Sequence, residues 1–225
     1  MEGQPAVILC DMDGVLVDSE ALHWESVHDV LLALGVISST ERLPERIGWG
    51  DEALWTELKR RYQLSESPTA LTELRAERAE RRLCEAPPPR IRGSREGLLA
   101  LRARDPQLRF AVVSASPLKQ MALSLLEYEG LFELMISGVD DCAENKPSPE
   151  PYLTAMARLA VEPARCWIFE DSPTGLRAAL ASGARVWRLK TAPDALIEAS
   201  LTSAERAQLT ALDSIEALLS LSSLS

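Results

Sequence analysis

An α/β fold, with a Rossmann-like parallel sheet core and a helical cap inserted after the first strand, is what this sequence of 225 residues predicts. Three observations carry that expectation. Short apolar runs without polar alternation, Ala6–Cys10 (AVILC), Phe110–Val113 (FAVV) and Cys166–Phe169 (CWIF), have the pattern of strands buried on both faces. Helix-length segments lie between such runs, and alternating strand and helix builds a parallel sheet covered by helices. Between about Ser19 and Pro88 the alternation stops, and the residues there show helical spacing alone.

Taken in order, the first strand ends at Asp11, and helical periodicity follows in Leu22, Val27, Leu31 and Leu34, then in Leu54, Trp55, Leu58 and Tyr62. A third helical segment interleaves Arg75, Arg78, Arg81 and Arg82 with Glu73, Glu77 and Glu80, which reads as an exposed face laced by its own ion pairs. Pro87, Pro88 and Pro89 close the stretch, because consecutive prolines cannot continue a helix. The division expected is a core of residues 1–18 and 89–225 and a cap of residues 19–88. Within the core, helices are expected at Glu96–Arg104, Leu118–Glu129, Pro149–Leu159 and Thr174–Ser182, with two further strands at Leu134–Ile136 and Arg185–Leu189. From Asp194 onward the sequence reads as helix-forming with a Ser/Leu tail.

Composition narrows the function classes. Hydrophobic residues make up 46% and charged residues 26%, too apolar for a disordered chain and ordinary for one main core. A net charge of −10 disfavours attraction to nucleic acid or an anionic membrane surface. No apolar run reaches the ~18 to 20 residues of a membrane span, and Met1–Pro5 lacks the regions of a signal peptide, so a cytoplasmic protein is expected. Cys10, Cys84, Cys142 and Cys166 form no C-x-x-C pair, which argues against zinc and disulfides and places Cys10 and Cys166 in the core.

Ligands of open parallel sheets sit at the carboxyl ends of the strands, so the residues after each apolar run are candidate site material. They are Asp11-Met12-Asp13-Gly14, Ser114-Ala115-Ser116, a loop leading to Lys146-Pro147, and Glu170-Asp171-Ser172. Carboxylates gathered at one edge repel unless a cation stands among them, and oxygen ligands without His or Cys suit Mg²⁺. Ser114 and Lys146 add a hydrogen-bond donor and a positive charge, the requirements of a phosphoryl group, so the expected ligand is a phosphate ester. Residues two apart on extended chain share a face, which would turn Asp11 and Asp13 to one substrate. A carboxylate can attack phosphorus if a second acid protonates the leaving oxygen and later deprotonates water; Asp11 is assigned the first role and Asp13 the second. A calcium loop fits poorly, since Val15 and Leu16 stand where that motif needs a ligand and a glycine.

These motifs, in this order, resemble the haloacid dehalogenase-like superfamily, in particular its branch of sugar-phosphate phosphatases and β-phosphoglucomutases with a helical cap. Asp11–Glu20 looks like motif one, Ser114 motif two, Lys146 motif three and Glu170–Gly175 motif four, and the likeness covers essentially the whole chain. The resemblance implies that Asp11 is the phosphorylated nucleophile and Asp13 the acid/base. It also implies that Asp11 and Asp171 bind Mg²⁺ through carboxylates and Asp13 through its carbonyl. Glu170 would support metal-bound water, and Ser114, Ala115 and Lys146 would hold phosphate. An acid at position 13 sets the chain apart from members that dehalogenate or cleave phosphonates. His23 stands where the mutases keep a histidine. The segment Arg46-Ile47-Gly48-Trp49-Gly50-Asp51, however, lacks their basic residues, and Asp51 would repel a second phosphate. Hydrolysis of a small phosphorylated metabolite is therefore expected ahead of a β-phosphoglucomutase-like phosphohexomutase, with a non-catalytic phosphometabolite-binding protein as the reading from another class. The expected assembly is a monomer or weak dimer.

The phosphoryl group is common to all such substrates, so the leaving alcohol must be recognised elsewhere, and Glu20, His23, Arg46, Trp49 and Asp51 of the cap are the candidates. His23 and Trp49 also fit ordinary packing, as Trp55 does. Substitution of Arg46, Trp49 or Asp51 is expected to change KM and the ranking of phosphate esters more than kcat. Steady-state kinetics on a panel of esters checks this, and an unchanged ranking in all three variants would remove the segment from substrate selection.

Overall fold

The protein is described by a computed structural model covering residues 4–38, 40 and 51–220, with the side chains of 51 and 52 outside that description. It divides into two compact units, one made of Met1–Asp18 and Pro89–Ser225, the other of Ser19–Pro88.

The first unit is built on six parallel strands: β1 (Val7–Cys10), β2 (Arg109–Ser114), β3 (Leu134–Ser137), β4 (Cys166–Glu170), β5 (Arg185–Leu189) and β6 (Thr210–Leu212). Their order across the sheet is β3-β2-β1-β4-β5-β6. β1 lies between β2 and β4, with Ile8 level with Phe110 and Trp167, and Cys10 level with Val112 and Phe169. The period-2 geometry of a strand sends Ile8, Cys10, Phe110, Val112, Trp167 and Phe169 into one apolar cluster and Val7, Leu9, Ala111, Val113, Cys166 and Ile168 into another. Both faces are covered, as continuous apolar runs require. The first cluster is closed by Leu98 and Leu101 of α4 (Ser94–Arg104) and Met121 of α5 (Leu118–Ser124). The second is closed by Tyr152 and Ala155 of α6 (Glu150–Arg158), Leu176 and Ala179 of α7 (Pro173–Ala181) and Ile197 of α8 (Asp194–Ser200).

The second unit holds α1 (Glu20–Ala33), α2 (Asp51–Tyr62) and α3 (Pro68–Glu85). Val27, Val30 and Leu31 of α1 meet Leu54, Trp55 and Leu58 of α2 and Leu71 of α3 in a core of their own. Ser67 caps α3, its hydroxyl accepting from the Ala70 amide at 3.1 Å, and Pro68 follows at the first helical position, where a missing N–H costs nothing. Among the described residues, no helix is long and apolar enough to cross a membrane.

Three details depart from the sequence expectation. The helix expected over Leu118–Glu129 stops at Ser124 and tightens into a 3-10 turn at Leu126–Tyr128, which sets the Tyr128 hydroxyl 2.7 Å from the Leu16 carbonyl. Past Asp194 there is a strand, β6, as well as α8 and the short α9 (Ser203–Ala207). Arg82 turns away from the acids of its own helix: it forks onto Asp29 at 2.7 and 2.9 Å and reaches Glu25 at 2.6 Å, tying α3 to α1. Cys10 and Cys166 are buried and all four cysteines are free.

Phe110 is fully buried in the first cluster, with the Arg102 guanidinium 4.6 Å from its ring centre. Phe110→Ala is expected to lower unfolding free energy by about 3–5 kcal/mol, as lost burial and an unfilled cavity add. Urea denaturation of the two proteins checks this.

Candidate active site

Strand order reverses at β1: the chain leaves it toward β2 and β3, then returns to place β4 on its other side. Such a switch point leaves a crevice at the carboxyl ends of the strands, and that is where the chemistry-bearing residues stand. The Asp11 amide donates to the Phe169 carbonyl at 2.9 Å, completing the ladder. The chain then folds into a tight loop, with the Leu16 and Val17 amides donating to the Met12 carbonyl and Gly14 at φ +75°. Met12, Val15, Leu16 and Val17 are buried, so this loop is pinned from below by apolar side chains. Gly14 is required twice over, by its left-handed backbone and because a Cβ there would stand 2.1 Å from Asp171 Oδ2.

Lys146 is the centre of the edge. Its Nζ donates to Asp11 Oδ1 at 2.7 Å, Glu170 Oε1 at 2.8 Å and the Val113 carbonyl at 2.9 Å, which uses all three ammonium donors. Its side chain is only 4% exposed and that of Glu170 not at all. The loop carrying Lys146 is fixed by Asn145, whose Oδ1 accepts the Lys146 amide at 2.8 Å while its Nδ2 donates to the Ala115 carbonyl at 3.2 Å. Glu170 is saturated: Oε1 also accepts from the Tyr152 hydroxyl at 3.0 Å, and Oε2 from the Asp171 amide and from the amide and hydroxyl of Ser172. Ser172 in turn caps α7, and Gly175 leaves the room Glu170 needs, since a Cβ there would lie 1.7 Å from Oε1. On the other side of the edge, Asp13 Oδ2 lies 3.5 Å from Ser114 Oγ and 3.3 Å from Ser116 Oγ.

The electrostatics are those of an anionic site with too little positive charge. Carboxylate oxygens of Asp11, Glu170 and Asp171 lie within 4.8 Å of one another, all buried. Burial raises the pKa of Asp11 well above the ordinary carboxylate value, the Glu170 charge adds to this, and Lys146 opposes it. Burial and then Glu170 push Asp171 up to about 7, with a hydrogen bond from Thr191 pulling the other way. Lys146 ends above the ordinary lysine value: burial disfavours its charge, and the Asp11 and Glu170 carboxylates outweigh that cost. Desolvation followed by Glu170 likewise raises Tyr152. One ammonium among three buried carboxylates leaves a deficit that a divalent cation would relieve, and an all-oxygen donor set suits Mg²⁺. Asp11 engages Lys146 through Oδ1 and Asp171 engages Thr191 through Oδ2, which leaves the other oxygen of each for such an ion.

Of the residues singled out in the sequence, Asp11, Asp13, Ser114, Lys146, Glu170 and Asp171 come together at this edge, with Ala115 exposed beside Ser114. Glu20 and His23 belong to the helical unit, where Glu20 is exposed and the His23 ring meets Trp24 edge-on at 5.3 Å. Arg46 and Trp49 lie outside the described residues, as does the side chain of Asp51, which opens α2. Trp55 is core. Ser116, read in the sequence with Ser114 and Ala115, also reaches Asp13, whereas Tyr152 and Thr191 were not among the sequence candidates. Thr191 follows β5 by two residues, so reading the end of that strand as the others were read would have found it; Tyr152 sits within α6 and carries no such signal.

Residues 8–189 match the family model of the haloacid dehalogenase-like hydrolases. The chain is similar to a phosphorylated carbohydrates phosphatase of Thermotoga maritima, 31% identical over 183 residues that make up 78% of this chain and 81% of that protein. Hexitol phosphatase B of Escherichia coli K12 is 32% identical over 181 residues, 78% of this chain and 79% of its own length. In fold, the protein is similar to the crystal structure of CbbY from Rhodobacter sphaeroides in complex with phosphate, with a TM-score of 0.74, 23% identity and 96% of each chain covered.

An acid whose pKa rises from 3.8 to about 7 on folding keeps its proton longer in the folded state, so its contribution to stability falls as pH climbs through that window. Without divalent cation, the loss of stability from about pH 5 to about pH 8 is expected to be smaller in Asp171→Asn than in the parent. Mg²⁺ should restore stability at the higher pH in the parent and much less in the variant. Thermal melts at the two pH values, with and without Mg²⁺, check both.

Proposed function

We propose that this chain, which belongs to the haloacid dehalogenase-like hydrolases, is a Mg²⁺-dependent phosphatase of small phosphorylated metabolites, sugar phosphates foremost, working through an aspartyl phosphate on Asp11. The observation that carries this reading is Lys146 held between Asp11 and Glu170 at the switch point of the sheet. The names of the Thermotoga maritima and Escherichia coli relatives support the substrate class.

In this reading Asp11 and Asp171 hold the ion through carboxylates and Asp13 through its carbonyl, while Glu170, its oxygens already engaged by protein donors, anchors Lys146 and the surrounding backbone. The bound ion would supply positive charge to the phosphoryl oxygens and offset repulsion between them and the nucleophile. An Asp11 carboxylate oxygen forms a bond to phosphorus as the ester oxygen departs, and Asp13 gives that oxygen its proton. Asp13 then takes a proton from water as the water oxygen attacks phosphorus, releasing inorganic phosphate and regenerating Asp11. The Ser114 hydroxyl, with the chain at Ala115, would meet the non-bridging oxygens, and Lys146, its donors engaged by the protein, would contribute its positive charge to them as charge builds in the transition state. These groups stand at strand ends that apolar packing fixes from beneath, which orients them before substrate arrives.

Phosphate release from hexose, hexitol and pentose phosphates in Mg²⁺ is the direct test. Asp11→Asn is expected to lose roughly 10³-fold or more of the rate, and EDTA to abolish turnover until Mg²⁺ is returned. Release by Asp11→Asn at the parent rate would overturn the covalent route. Isomerised hexose phosphate without released phosphate would mark a mutase, and binding without turnover a binding protein.

A further inference from the structure

The end of β5 delivers a residue that no motif of the site includes. Thr191 Oγ1 donates to Asp171 Oδ2 at 3.0 Å. The hydroxyl is not spent on capping the helix that follows, since α8 begins at Asp194 with Pro193 at its cap. The Asp171 amide is committed to Glu170, and the Thr191 bond restrains the rotation of the Asp171 carboxylate. The carboxylate also rests against the bare Cα of Gly14, where a Cβ would come 2.1 Å from the same Oδ2 and 2.7 Å from Cγ.

The segment carrying Thr191 is itself tied down. The Lys190 amide donates to the Leu212 carbonyl of β6 at 3.0 Å, and the Lys190 ammonium pairs with Asp213 at 3.0 Å. Beneath it, the buried Arg188 donates to the Ala192 carbonyl at 3.3 Å and pairs with Asp194. A hydroxyl on so constrained a segment can hold a carboxylate in one orientation, where a mobile loop could not.

We propose that Thr191 is a positioning residue for the cation site: it occupies Asp171 Oδ2 and so presents Oδ1 to Mg²⁺, with Arg188 and Lys190 holding the segment that carries it. This rests on the reading of Asp171 as a cation ligand. Hydrogen-bond partners of ligating carboxylates commonly alter metal affinity when removed, by about 10–100-fold.

Thr191 is exposed, and valine matches its shape without the donor, so Thr191→Val should fold as the parent does. Titration of Mg²⁺ into the metal-free protein by calorimetry reads the site without turnover. The dissociation constant is expected to rise about ten-fold or more in Thr191→Val and to return to the parent range in Thr191→Ser, which keeps the hydroxyl. A single cooperative melt of each metal-free protein shows that the variants are folded before their titrations are compared. Parent and Thr191→Val binding Mg²⁺ equally well would overturn the proposal and leave the phosphatase reading standing. Weakening in Thr191→Ser equal to that in Thr191→Val would also overturn it, since the hydroxyl would then not be the cause. A parent protein that binds no Mg²⁺ would overturn the cation-site reading and this inference with it.

Discussion

A single ammonium group holds the edge of this sheet together. Lys146 stands between Asp11 and Glu170, almost wholly out of water, and without it two buried carboxylates would face each other with nothing between them. Removing one partner from such an arrangement leaves an uncompensated buried charge, which is why its members are interdependent. Glu170 answers Lys146 on one side and on the other collects the Asp171 and Ser172 amides at the start of α7. The same cation therefore orders β1, the loop after β3, and the turn from β4 into α7. Its satisfaction leaves an edge that remains anionic overall, with three buried carboxylates to one ammonium.

The backbone makes that convergence possible. Parallel strands bring all their carboxyl ends to one edge, and the order β3-β2-β1-β4 sets the ends of β2 and β4 directly beside that of β1. Registers are fixed by packing on both faces, so a slip by one residue would exchange the members of the two apolar clusters. Two glycines then open space that no other residue would leave, Gly14 for Asp171 and Gly175 for Glu170. The site is thus specified as much by missing side chains as by those present.

Much of this was legible in the chain. Strands buried on both faces announce themselves as apolar runs, and all five strands expected from the sequence lie within one residue of the structure at either end, the short Leu134–Ile136 signal on the sheet edge included. β6 was not legible, because Thr210 and Ala211 are exposed and only Leu212 is buried, so the strand exists through its backbone ladder to β5 and leaves no hydrophobic pattern. The break after Ser124 depends on where the Tyr128 hydroxyl finds an acceptor, 112 positions away in sequence at Leu16, and local periodicity carries nothing of that. Arg82 misled for a similar reason: acids three to five positions away on its helix are visible in sequence, whereas Asp29 and Glu25 come near only once α1 and α3 have packed. At the site, the residues that touch charge directly were readable from strand ends, as Thr191 after β5 would have been, whereas Tyr152 was not, since a tyrosine in a helix is ordinary until its partner is known.

The position of β1 has a consequence for how the protein comes to be folded. It is the first strand in the chain and a central one in the sheet, yet its partners begin at Arg109 and Cys166. At synthesis rates of about 5–20 residues per second, Val7–Cys10 waits on the order of ten seconds or more before β4 exists to pair with it. The helical unit, continuous from Ser19 to Pro88 and with a core of its own, is complete long before then. Until β2 has been made this apolar strand has both edges unpaired, and until β4 follows it still has one, an exposure that a chaperone could shelter.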